Sequence, residues 1–367
     1  MAWRARLFPA GLLVAALLAG APTPGAGGAP AGGADPPARG VAVPTLIPTV
    51  VCHDKAVGDQ DDMCIWIHPS DPGRSTIITS DKDARRLFVY DLQGHTIQSI
   101  ASAHPGNIDV RYGFPLGGKK VDIVALNQRE PHFKIRVFAV DPETRRLQPA
   151  DDGKIVMGEN YGGTLFHSRK SGKFYFIATA KQGPFDQWEL YDAGSGKVAG
   201  RKVRSWKVGY SEAAVGDDIT GKVYIAEEAK GVWEVGGEPD DPTPGRLVIR
   251  THENGLVPDV EGLAIYPKTP GGPCLVVSSQ GNSTFKVYRL GGDFALVGTF
   301  AVRGAVDTDG LDVTSVDLGE PFSQGLFVCH TARQGRPVLL VPWAKIAEAL
   351  RPPRPPVAAR PPERSQP

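Results

Sequence analysis

Between residues 45 and 350 the chain reads as strand after strand. Short apolar runs, among them RLFVYDL, IRVFAV, FYFIATA, KVYIAEE, CLVVSSQ and FKVYRL, are alternating or continuous, and turn signals separate them. Such runs predict β-strands, because a strand buries every second side chain when one sheet face is covered and nearly all of them when both are. Only AKIAEAL, near the end, carries helical spacing. Many short strands with Gly/Pro turns predict a sandwich, a barrel or a propeller, and internal repeats decide among these.

A repeat is present. EGLAIY from Glu261 recurs as DGLDVT from Asp309 and EAAVGD from Glu212, with looser copies YGGTLF from Tyr161, DMCIWI from Asp62 and NIDVRY from Asn107. The turns HPSDPGRS, HSRKSGK and DDITGK also share their wording. A period of about fifty residues suits one four-stranded sheet per copy. The predicted fold is therefore all-β: a six-bladed β-propeller of four-stranded antiparallel blades.

That fold gives the repeats a chemical meaning. The first strand of each propeller blade lines the central channel, so equivalent positions form a ring. Asp62, Asn107, Tyr161, Glu212, Glu261 and Asp309 are predicted to converge on one channel mouth, with Asp61 and Asp259 beside them. Carboxylates crowded in this way repel one another or titrate high. A hard divalent cation resolves the conflict, and oxygen donors without His or Cys point to calcium over zinc or copper. A second ring falls where the next strand ends: Lys82, Arg129 and Lys181 from the first three blades, then Glu228 and Gln280. A single Lys or Arg is ordinarily a solvated charge. Three at equivalent positions beside an acidic cup suit a ligand with several phosphates.

Composition adds limits. Hydrophobic residues make up 41%, enough for a real core, and 44 Gly with 33 Pro favour turns over long helices. A net charge of +1 gives no reason to expect nucleic acid or a membrane surface as partner. Arg4 and Arg6 ahead of LFPAGLLVAALLAGA predict a secretory signal peptide over residues 1–30, the run being short for a membrane span. A flexible Gly/Ala/Pro-rich leader is expected over 31–45, the catalytic propeller over 46–350 and a disordered Pro/Arg-rich tail over 351–367. The expected product is a secreted monomer, extracellular or periplasmic. Cys52, Cys64, Cys274 and Cys329 could pair in an exported protein, but three lie in strand-like runs where buried thiols are the plainer reading, and no CxxC marks a zinc site.

The stretches DDMCIWIHPSDP, DVRYGFPLGGKKVDIVALNQR, YGGTLFHSRKSGKFYFIATAKQG, YIAEE, DVEGLAIYP, SSQGNS, DTDGLDV and VPWAKIA resemble the β-propeller phytases from about Asp61 to Ala347. That resemblance implies a secreted, calcium-dependent phosphatase acting on myo-inositol hexakisphosphate (phytate). It implies calcium-site roles for Asp61 or Asp62, Glu212, Glu228, Asp259 and Glu261, and further calcium ligation by Asn107 and Asp109. Asp307 and Asp309 match the DTDG segment, Tyr161 is similar to a ligand or phosphate contact, and Lys82, Arg129 and Lys181 match phosphate-binding bases. The implied chemistry is metal-assisted attack of water on a phosphomonoester, with no Ser, Cys or His nucleophile; His68 and His167 are expected to be structural. The chain departs from the family pattern where Asp83 replaces a second lysine, where the VRGAV loop is short, and where CHTARQG replaces a more acidic segment. Two other readings fit a propeller: a calcium-dependent lactonase or phosphotriesterase, and a non-catalytic anion-binding module.

Overall fold

A computed structural model describes residues 42–333, 335 and 337–351. The expected signal peptide, nearly all of the leader and the tail beyond Arg351 lie outside the described residues. The expected propeller is present: six blades of four antiparallel strands, one of them extended by a fifth strand, and among the described residues a single α-helix, Trp343–Ala349. The innermost strands are Gln60–Trp66, Pro105–Leu116, Gly163–His167, Ser211–Asp217, Val260–Tyr266 and Leu311–Thr314, for blades one to six. Each packs on the next around a closed ring, the sixth returning to the first.

Closure uses the chain's early residues. Blade six takes three strands from the end of the propeller and its fourth, Val50–Cys52, from the beginning, with Val50 opposite Leu340. Thr45–Leu46, whose first residue the sequence assigns to the leader, adds a parallel fifth strand to blade five, opposite Ala301–Val302.

The core is divided into six sectors, one between each pair of neighbouring blades. Between blades five and six, Phe285, Phe300 and Phe327 meet with ring centroids 5.0–5.3 Å apart. Each fully buried ring of this kind contributes about 1.5–3 kcal/mol. Trp343 of the helix stacks on Tyr266 at 3.7 Å and covers the same sector. The four cysteines are buried and unbridged, and burial pushes the Cys52 thiol up to about 12. His68 is structural: its Nδ1 accepts from Ser70 N and Asp71 N within the turn, and its Nε2 lies 3.0 Å from Pro142 O of the neighbouring blade.

One local irregularity positions everything that follows. In blade one Gln60 faces Asp81 and Met63 faces Thr79, so Asp61 and Asp62 together oppose one residue. The same bulge recurs at Gly106–Asn107, Glu212–Ala213 and Glu261–Gly262. A β-bulge kinks the strand and re-aims its side chains. Here it turns the first residue of each pair towards the mouth and the second into the channel. The equivalent mouth positions are thus Asp61, Gly106, Tyr161, Glu212 and Glu261. This corrects the sequence alignment by one residue in blades one and two, where Asp62 and Asn107 had been placed at the mouth.

Candidate active site and metal-binding cup

The mouth is narrow because the inner strands touch. Gly262 N donates to Asp309 O at 2.8 Å, and Gly310 N donates to Asp61 O at 3.0 Å. A β-carbon on Gly262 would lie 2.6 Å from Asp309 O, and one on Gly310 would strike the Asp62 carboxylate. This close approach explains the glycine in the repeated EG and DG wording.

Three carboxylates meet at the centre. Glu212, Glu228 and Glu261 each offer an oxygen within 4.8 Å of the others. Glu228 stands just past the second strand of blade four, and its N–H donates to Tyr210 O at 3.1 Å. Its neighbour Glu227 turns away to Trp233 and Lys230. Burial first, then the charges of Glu212, Glu228, Asp309 and Asp61, hold the Glu261 carboxyl well above its ordinary range. Burial raises Glu212 as well, against the pull of Arg129. Glu228 is pushed up to about 7 by burial and by Asp259 and Glu212.

Bases hold the surrounding acids. Arg129 reaches from blade two across the ring, bonding Asp61 Oδ2 at 3.1 Å, Glu212 Oε1 and, through Nε, Tyr161 O at 2.8 Å. It passes beside Gly106, where a β-carbon would come 2.9 Å from Arg129 Nε, so the missing side chain in blade two makes room for the guanidinium. Lys82 Nζ lies 2.7 Å from Asp61, 3.4 Å from Asp59 and 3.4 Å from Asp309. Burial opposes ionisation of Asp61, but Arg129 and Lys82 outweigh it and keep that carboxyl below its ordinary value. Asp309, which accepts from the Gln280 amide, is raised to about 7 by burial and Asp61. Lys181 is exposed on the rim, its Nζ 4.0 Å from the centre of the Tyr161 ring. Burial and Glu212, with hydrogen bonds to Glu212 and Tyr210, raise the Tyr161 phenol.

Not every expected residue joins the cup. Asp62 accepts Ile108 N at 3.1 Å, and with Asn107 it lines a cavity of about 40 Å³ in the channel below the cup. Asp109 lies deeper. It pairs with Arg111 at 2.9 Å and accepts from Thr164 Oγ1 and Leu165 N, joining blades two and three. Arg111 also holds Asp218 at 2.8 Å and two carbonyls, plugging the channel. Asp259 is exposed at the cup's edge, close enough to raise Glu228. Asp307 is exposed on the preceding loop, its N–H donating to Ser283 Oγ.

The structure adds three residues. Asp59 is the third carboxylate on Lys82. His330 is the second-ring member of blade six, just past Leu326–Cys329, and its Nδ1 accepts Asp309 N at 3.2 Å. Its place in the repeat was available from the sequence, since Lys82 and Arg129 occupy the same point in their blades. Tyr210 stands edge-on to Tyr161 with ring centroids 5.4 Å apart.

The donor set fits a hard cation. Three acidic groups converge, their charged forms are disfavoured as they stand, and Glu228 Oε1 is buried without a hydrogen-bond partner. Bases fixed around that centre leave the rim suited to an anion.

A six-bladed propeller with an acid cup and a basic rim at its axial mouth defines a class of anion-directed, metal-binding propeller proteins. The chain belongs to the phytase family, whose model matches residues 44–353. It is 38% identical over 316 residues to a 3-phytase of Bacillus subtilis (strain 168), covering 80% of this chain and 82% of that one. Among solved structures, it shares its fold with a calcium-binding protein, regucalcin, from Agrobacterium tumefaciens str. C58, at TM-score 0.52 and 11% identity, covering 82% of this chain and 97% of that one. A glucose dehydrogenase aligns at TM-score 0.50 and 13% identity, covering 80% and 98%.

Proposed function

We propose that this protein is a calcium-dependent phosphomonoesterase that hydrolyses phytate to lower inositol phosphates and inorganic phosphate. Family membership and the 38% identical 3-phytase support the substrate. The observation that carries the reading is the apposition of the Glu212, Glu228 and Glu261 carboxylates within 4.8 Å, ringed by Arg129, Lys82 and Lys181.

Glu212, Glu228 and Glu261, with Asp61, Asp259 and Asp309 around them, would hold calcium, which would supply charge neutralisation and Lewis acidity. The side chains supply the rest. Arg129 is fixed by Asp61, Glu212 and the Tyr161 carbonyl before any substrate arrives, so little reorganisation is needed to meet charge developing on a phosphoryl group. Lys82 sits amid three acids and offsets their charge towards an incoming anion. Lys181, on the open rim, is placed to hold a phosphate. Several phosphates on one ring would engage several of these bases together, which favours a polyphosphorylated substrate.

Phosphate release from calcium phytate, with and without a chelator, tests the proposal. Release should require calcium, and Glu212→Gln should abolish it. Chelator-insensitive release refutes the calcium role, and turnover of lactones without phytate hydrolysis refutes the substrate. The proposal includes export after removal of the N-terminal segment, checked by sequencing the N-terminus of protein recovered outside the cytoplasm.

A further inference from the structure

The rim base Lys181 is exposed, and an exposed lysine spreads over many rotamers. Its ammonium nevertheless has a defined seat. Nζ lies 4.0 Å from the centre of the Tyr161 ring and 5.5 Å from that of Tyr210. Arg129 Cζ lies 4.9 Å from the same Tyr161 ring, so one phenol serves both cations. Tyr210 sets the angle of that phenol: the two rings meet edge to face at 70°. Tyr210 is itself fixed, because it immediately precedes the inner strand Ser211–Asp217 and its carbonyl accepts Glu228 N at 3.1 Å. The residue remains 38% exposed at the cup's edge.

We infer that Tyr210 is a positioning residue for the phosphate-binding rim, acting through Lys181. Its ring and that of Tyr161 hold the ammonium by cation–π attraction where a substrate phosphate arrives, so the entropy of ordering the lysine is lost before binding and not during it. The ring faces carry this role; the hydrogen bond between the Tyr210 and Tyr161 side chains helps to set the phenol but makes no contact with the ammonium. The inference rests on the proposed function, since it takes the bound anion to be a phosphate.

The test is a double-mutant cycle of Tyr210→Ala with Lys181→Met, with Tyr210→Phe and Tyr210→Leu as companions. Two readouts are taken on the calcium-loaded enzyme: steady-state kinetics with phytate, and calorimetric titration with inorganic phosphate. Tyr210→Ala and Tyr210→Leu should each raise KM and weaken phosphate binding about three- to ten-fold, with kcat within about two-fold of the parent. Tyr210→Phe should keep both values within about two-fold, and Tyr210→Ala should add nothing once Lys181 is Met. Equal losses with and without Lys181, a Phe variant as weak as the Ala variant, or a fall confined to kcat would overturn the inference. A wild-type protein that binds phosphate but releases none from phytate would refute the proposed function alone, because the phosphate titration still reads the cycle.

Discussion

Replacing Glu261 by Gln should strengthen the chelated protein and weaken the calcium-loaded one. Glu212, Glu228 and Glu261 offer oxygens within 4.8 Å of one another. At an effective dielectric of about 20, one fully charged pair at that distance repels by about 3.5 kcal/mol. Partial protonation relieves much of this, as the raised Glu261 and Glu228 carboxyls indicate. A net gain of about 1–2 kcal/mol remains for the neutral amide, or a melting-point rise of about 1.5–4 °C for a domain of this size. Calcium at about a hundred times its dissociation constant adds about 2.7 kcal/mol to the wild type and little to the variant, so the order of melting points should invert. Calorimetric melts in chelator and in calcium, at pH 8, provide the measurement. A variant that melts below the wild type in chelator, or one that gains as much from calcium, would refute the reasoning.

Other outcomes follow from the same geometry. Glu228 and Asp309 are both raised to about 7, so the folded state holds protons that the unfolded state releases. Their contribution to metal-free stability is present below about pH 4 and is lost as pH rises through about 7, whereas calcium should flatten that decline; melts across pH 4–9 check it. Arg129→Met removes bonds to Asp61, Glu212 and Tyr161 O, and kcat/KM should fall at least about a hundred-fold in a phosphate-release assay. Gly262→Ala forces a β-carbon against Asp309 O and should cost about 1–3 kcal/mol, read as a lower melting point with calcium present or absent. Asp109→Ala strips a half-buried partner from Arg111, which keeps Asp218, and should cost about 1–3 kcal/mol while leaving the calcium-induced rise in melting point intact, because Asp109 lies outside the cup.

The six blades were legible because each repeat carries an apolar strand at a constant distance from an acid and a turn. Repetition also brought out Glu212, Glu261, Arg129 and Lys82 without any knowledge of contacts. Two kinds of information escaped it. A bulge adds one residue to a strand without leaving a mark in hydrophobic alternation, so Asp62 and Asn107 were placed where Asp61 and Gly106 stand. A glycine that makes room for Arg129 looks, in sequence, like an ordinary turn. Partnership was the other gap: that Asp109 accepts from Thr164 Oγ1 and Leu165 N depends on how neighbouring blades abut, which no single repeat encodes. His330 was missed for a simpler reason, since a search for acids and bases of one kind passes over a histidine at the same rung.

The strand Val50–Cys52 is paired with Val338–Pro342, nearly three hundred positions later. A polypeptide emerging from the ribosome can therefore assemble blades one to five only as an open arc, with the blade-six and blade-one faces bare. The cup needs Asp309 from one side of that seam and Asp61 from the other. The cup's full set of side chains therefore comes together only late in synthesis, once blade six has been made and Val338–Pro342 has paired with Val50–Cys52.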